Sequence, residues 1–83
     1  MKVKITKQAK KDLSKLDKQI RSKIEHIIKR LKQGESDFRK LTGRDSEWKI
    51  KAGDYRVIIE IDKESGTIFV KRVVLRKDAY RKF

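Results

Sequence analysis

The sequence predicts an α+β domain, with an N-terminal strand and a two-helix hairpin packed on a small antiparallel sheet that contains a three-strand meander. Two observations carry that class. Apolar residues recur at helical steps between Ala9 and Leu31, and β-branched or aromatic runs parted by Gly, Asp and Ser occupy the chain from Glu47 to Leu75. The chain is 83 residues long and shows no repeat and no Gly/Ser-rich linker, so one domain over residues 1–83 is expected.

Each element has its own signal. Residues 2–6 alternate Lys2, Val3, Lys4, Ile5, the pattern of a short strand with one face buried. From Thr6, an N-cap residue, Ala9, Leu13 and Leu16 form one apolar stripe. Asp17 is the second N-cap, and Ile20, Ile24, Ile27, Ile28 and Leu31 repeat the helical period until Gly34 offers a left-handed stop. Isoleucine favours strands, but this spacing over more than ten residues outweighs propensity, and two antiparallel helices result. Residues 35–46 are polar and turn-rich, with Phe38 and Leu41 as anchors. Three strands follow, Glu47–Lys51, Tyr55–Ile61 and Thr67–Leu75.

A two-residue turn at Gly53-Asp54 sets the register of the first hairpin: Ala52 opposite Tyr55, Lys51 opposite Arg56, Ile50 opposite Val57 and Trp48 opposite Ile59. Trp48, Ile50, Val57 and Ile59 then face the helices. Lys49, Lys51 and Arg56 share the other face, outside the core. Like charges opposite one another destabilise a strand pair, so Lys51 and Arg56 point to an anion between them, unless Glu47 or Glu60 screens them or the register differs by one. The register of the second hairpin stays open, because Ile68, Phe69, Val70, Val73, Val74 and Leu75 offer apolar residues to both faces. In the tail, one helical turn puts Arg76 and Tyr80 on the same side.

Composition narrows the function. Twenty-five Lys and Arg against twelve Asp and Glu give +13 at pH 7, a field that collects polyanions. Residues 1–34 hold twelve basic and three acidic residues, which makes the helical half a docking surface. With 36% apolar residues the core is lean, and a bound partner is expected to stabilise it. The chain has no cysteine, which excludes a disulfide framework and a thiol nucleophile, and a reducing cytoplasm fits. The basic start, Met1-Lys2-Val3-Lys4, is followed by no apolar segment, so export is not expected. His26 is the one histidine and lies off the apolar stripe, which favours a surface position over a general base.

Lys40-Leu41-Thr42-Gly43, Trp48-Lys49-Ile50-Lys51, Gly53-Asp54-Tyr55-Arg56 and Arg76-Lys77-Asp78-Ala79-Tyr80, in this order and spacing, resemble the RelE branch of the RelE/ParE toxin superfamily. The resemblance covers nearly the whole chain and implies a RelE-like fold. It implies the toxin of a type II toxin-antitoxin pair, an endoribonuclease that cuts messenger RNA in the ribosomal A site without metal or other cofactor. By position, Lys49 and Lys51 match the alternating basic residues of the family's second strand, and Arg56 the arginine after the turn. Arg76 and Tyr80 match the arginine after the last strand and the C-terminal tyrosine. Leu75 departs from the histidine or lysine that many members carry there, and the short gap from Arg76 to Tyr80 is a second departure.

In metal-free RNA cleavage the 2′-hydroxyl attacks the neighbouring phosphate, leaving a cyclic phosphate and a 5′-hydroxyl. Arg56 and Arg76 suit the phosphorane oxygens, because a guanidinium stays charged and binds phosphate bidentately. Lys49 or Lys51 serves as base only if neighbouring cations crowd its ammonium, and otherwise stabilises charge. Tyr80 is placed to stack on a base or orient the hydroxyl. Lys10, Lys11, Lys15, Lys18, Lys23, Lys29 and Lys32 are then docking residues for ribosomal RNA. An acidic RelB-like antitoxin is the expected protein partner, in a hetero-oligomer. The rival readings are a ParE-like inhibitor of DNA gyrase and a non-catalytic RNA- or ribosome-binding module.

Overall fold

The computed structural model describes residues 2–34, 47–62 and 64–82, the last three as backbone. Its elements are β1 (Lys2–Ile5), α1 (Lys7–Ser14), α2 (Lys18–Lys32), β2 (Glu47–Ala52), β3 (Tyr55–Asp62), β4 (Thr67–Leu75) and α3 (Arg76–Lys82). The expected anchors Phe38 and Leu41, and the Lys40–Gly43 motif, lie outside the described residues.

Both helix starts form where short polar side chains stand. Thr6 Oγ1 accepts from the Ala9 N–H at 3.1 Å and Asp17 Oδ1 from the Ile20 N–H at 3.1 Å, each satisfying a donor the helix leaves unpaired. Thr6 also donates its hydroxyl to Lys71 O at 3.0 Å, which ties the start of α1 to β4. After α2 the backbone turns at Gly34, whose φ of 72° suits a residue without Cβ.

The strands form one sheet in the order β1-β4-β3-β2. The first hairpin has the register expected from its turn, from Ala52 opposite Tyr55 to Trp48 opposite Ile59. Gly53 has φ 60° and no non-glycine residue described has a positive φ, the pattern of a type II′ turn with glycine first. The sheet is mixed, not purely antiparallel, because β1 runs parallel to β4. The helices carry the chain back across the sheet, so β2 sets out in the same direction as β1. A meander of three strands then ends with β4 parallel to β2, and therefore to β1.

The second hairpin contains a bulge. Ile59 pairs with Val70 and Ile58 with Arg72, so Lys71 is the extra residue on β4. That residue resets the alternation: Ile68, Val70 and Val73 all reach the helix-side core, although Val70 and Val73 are three apart. Against them lie Ala9, Leu13, Ile24, Ile28 and Leu31, with Val57, Ile59 and Ile61 from β3 and half-buried Trp48 and Ile50 from β2. Fully burying each such Ile, Leu or Val contributes about 1.5–3 kcal/mol before entropy is counted. On the second face α3 packs on β3 and β4, and Ile58 and Ala79 are buried there, apart from the main core. No helix among the described residues is long and apolar enough to cross a membrane.

Candidate functional site

The residues expected from the sequence to carry the chemistry come from β2, β3 and the junction between β4 and α3. Alternation puts Lys49, Lys51 and Arg56 on the face away from α1 and α2, with Lys51 directly opposite Arg56. Arg56 in turn pairs with Val74, and Tyr55 with Leu75, so the end of β4 lies beside the β2–β3 turn. The Arg76 N–H donates to Asp54 O at 2.8 Å, which fixes the first residue of α3 against that turn. Lys51, Arg56 and Arg76 are thereby gathered at one end of the sheet by backbone geometry alone.

Their surroundings differ. Lys51 and Arg76 are exposed, and Lys49 is half-buried, with its ammonium 3.8 Å from Glu47. Arg56 is 6% exposed, which corrects the expectation of three cations outside the core. Its Nη1 donates to Gly53 O at 3.0 Å and to Tyr55 O at 2.8 Å, so the guanidinium braces the turn that carries Asp54. This also answers the like-charge conflict with Lys51 in part, because the arginine charge is drawn onto two carbonyl oxygens. The burial follows from α3, which covers this face and which the sequence suggested only as a single turn.

Tyr80 lies in α3 four residues after Arg76, and its side chain is outside the described residues. Leu75 is 39% exposed, an apolar side chain beside the cation cluster. Lys10, Lys11, Lys15, Lys18, Lys23, Lys29 and Lys32, the lysines expected to dock on RNA, are all exposed, as their positions off the apolar stripes require.

One residue that supports the site went unnoticed in the sequence. Asp12, on lysine-rich α1, accepts from Arg72 Nε at 2.8 Å and from the Val73 N–H at 2.9 Å through Oδ2. Its Oδ1 accepts from Gln8 Nε2 at 3.3 Å and Arg72 Nη2 at 3.4 Å. Burial works against its charge, but the hydrogen bonds from Arg72, Val73 and Gln8, with the Arg72 charge, outweigh burial and hold the carboxyl below its ordinary value. The available signal was a lone acidic residue among lysines, four residues after Gln8.

Comparison with known proteins gives a consistent picture. A family model described as the ParE toxin of the type II toxin-antitoxin system parDE matches residues 3–80. Toxin RelE3 of Methanocaldococcus jannaschii is 34% identical over 89 aligned positions that cover 100% of this chain and 99% of that protein. Among solved structures, the RelB-RelE antitoxin-toxin complex from Methanococcus jannaschii superposes with a TM-score of 0.73 at 30% identity, covering 96% of this chain and 98% of its counterpart. The archaeal RelE-RelB complex from Pyrococcus horikoshii gives 0.75 at 26% identity, with 90% and 93% covered.

Proposed function

Since the chain belongs to the RelE/ParE family of type II toxin-antitoxin toxins, we propose that it acts as a ribosome-dependent endoribonuclease that cuts messenger RNA in the A site and so stops translation in the cytoplasm. The observation that supports this most is the cluster of Lys51, Arg56 and Arg76 at the β2–β3 turn, anchored by the 2.8 Å bond from the Arg76 N–H to Asp54 O.

The cluster suits phosphate chemistry. When the 2′-hydroxyl attacks, the O2′–P bond forms, the P–O5′ bond breaks, and the phosphorane carries extra negative charge between the two events. Exposed Arg76 is free of steric cover to lie on those oxygens, and Lys51 adds a second cation. Arg56 acts chiefly by holding the turn, and so the spacing of the other two. Lys49 or Lys51 takes the hydroxyl proton or stabilises charge, and Tyr80 stacks on or orients the RNA. No strong general base stands among these groups, so correct placement of the message by the ribosome supplies much of the acceleration. An acidic RelB-like antitoxin, of the kind seen with the structural relatives, covers the basic toxin in a hetero-oligomer.

A second reading has two observations on its side. The matching family model is that of ParE toxins, and Leu75 stands exposed where many RNA-cutting members carry a basic residue. Inhibition of DNA gyrase by binding is therefore the alternative. The test is primer extension on a message translated in a purified system, with gyrase supercoiling assayed in parallel. New 5′ ends at A-site codons that require ribosomes are expected. Gyrase inhibition with no cleavage overturns the ribonuclease reading.

A further inference from the structure

Beside the cation cluster the surface of α2 and the outer strand β2 enclose an open groove of about 630 Å³. Gln19, Ser22, Lys23, His26, Ile27 and Arg30 line it from α2, and Lys51 from β2. On α2 these residues recur at helical steps, forming a mainly polar stripe that meets the apolar one at Ile27. Among its described lining residues the groove has three basic side chains, an imidazole, two uncharged hydrogen-bonding side chains and Ile27, and no carboxylate. A second groove of similar volume, about 620 Å³, is more apolar: Ile5, Leu13 and Ile28 line it beside Lys29, Lys32 and Gln33, and the Glu25 carboxylate borders it. Of these two, the first suits phosphate better, because its described lining combines basic side chains with no carboxylate.

Because β2 is the edge strand, Lys51 borders this groove at the sheet's rim and also lies opposite Arg56 in the cation cluster on the other face. We propose that the α2–β2 groove binds the phosphodiester backbone of the single-stranded message as it leaves the cation cluster. This inference rests on the endoribonuclease reading and extends it from the cut phosphate to the neighbouring nucleotides. Lys23 and Arg30 neutralise phosphates, Gln19 and Ser22 hydrogen-bond to phosphate or ribose oxygens, and the His26 ring offers a surface on which a base stacks. A single strand is favoured over a duplex because the walls are one helix and the edge of one strand, and an A-form duplex docks by its broad outer surface.

The test is fluorescence anisotropy with uncleavable 2′-O-methyl RNA, a trinucleotide and a nonanucleotide, bound to the intact protein over a range of salt. The variant Lys23→Gln/Arg30→Gln is compared with wild type and with Lys2→Gln/Lys7→Gln, which removes equal charge elsewhere, after circular dichroism shows that all are folded. The groove variant is expected to bind the nonanucleotide more weakly, with a log-log salt slope shallower by about 1.4, and the trinucleotide as wild type does. Equal losses on both lengths, or equal losses in the two variants, overturn the proposal. If the groove variant loses affinity for message-free ribosomes but not for the nonanucleotide, the groove serves ribosomal RNA and the proposal is also overturned. The cleavage assay separates the two readings: absence of cleavage with the expected binding pattern refutes the ribonuclease step and leaves the groove as an RNA site.

Discussion

Asp12 Oδ2 receives both Arg72 Nε, at 2.8 Å, and the Val73 N–H, at 2.9 Å, so one carboxylate of α1 clamps a side chain and the backbone of β4 immediately after its bulge. The clamp holds the stretch of β4 that leads, through Leu75, to Arg76. It joins residues 60 and 61 positions apart, and so links the helical half of the chain to the end of the sheet where the cations gather.

Replacing that carboxylate is expected to weaken the fold more than a typical surface substitution. Asp12→Asn removes the charge from a carboxylate that accepts four hydrogen bonds and should lower stability by about 1.5–3 kcal/mol. Urea unfolding of wild type and variant measures the difference, and a loss within about 0.5 kcal/mol would place the clamp among ordinary surface pairs.

The same group makes stability depend on acid. The Asp12 carboxyl titrates lower in the folded protein than in the unfolded chain, so its contribution is complete above the ordinary carboxylate range. It is lost as pH falls through the lowered folded value. Wild type should therefore lose stability relative to Asp12→Asn between neutrality and strong acid. Parallel curves for the two proteins would show that the clamp carries no proton linkage.

Arg56 and Arg76 should separate in their effects. Arg56→Ala leaves Gly53 O and Tyr55 O without their side-chain donor in a partly buried place and empties the buried space of the arginine, and is expected to cost about 1–3 kcal/mol of stability together with activity. Arg76→Ala touches an exposed side chain and should leave stability within about 0.5 kcal/mol while lowering ribosome-dependent cleavage roughly 10²-fold. Thermal unfolding beside primer extension reads both. An unstable Arg76→Ala, or a fully stable Arg56→Ala, would reverse the assigned roles.

Docking on the ribosome should be strongly electrostatic. With about six phosphates contacted by the exposed lysines of α1 and α2, the log-log dependence of affinity on salt should have a slope of about −4. Titration of ribosomes at several salt concentrations measures it, and a flat response would remove the helices from the docking surface.

The Gly53 turn sets the spacing of Lys51, Arg56 and Asp54. Gly53→Ala meets only ordinary contacts, with Ile20 Cδ1 and Lys23 Nζ at 3.8 Å, but forces an L-residue to φ 60°. A loss of about 1–2 kcal/mol is expected, read by chemical denaturation.

Much of this molecule is legible in local sequence. The steps from Ala9 to Leu31, the Thr6 and Asp17 caps, the Gly34 stop and the Gly53-Asp54 turn each depend on neighbours a few residues away, and the first hairpin's register follows from its turn. The cation row of Lys49, Lys51 and Arg56 follows from the same alternation. Tertiary closure decided the rest. The parallel pairing of β1 with β4, the Lys71 bulge that brings both Val70 and Val73 to the core, the Asp12 clamp and the burial of Arg56 beneath the face that α3 covers all join residues far apart in the chain. Such contacts leave no period in the sequence, because which residue meets which is set only when helices and strands pack around one core. The sequence determined the elements and the cations they carry, and the packing decided which cations face solvent and which hold the fold.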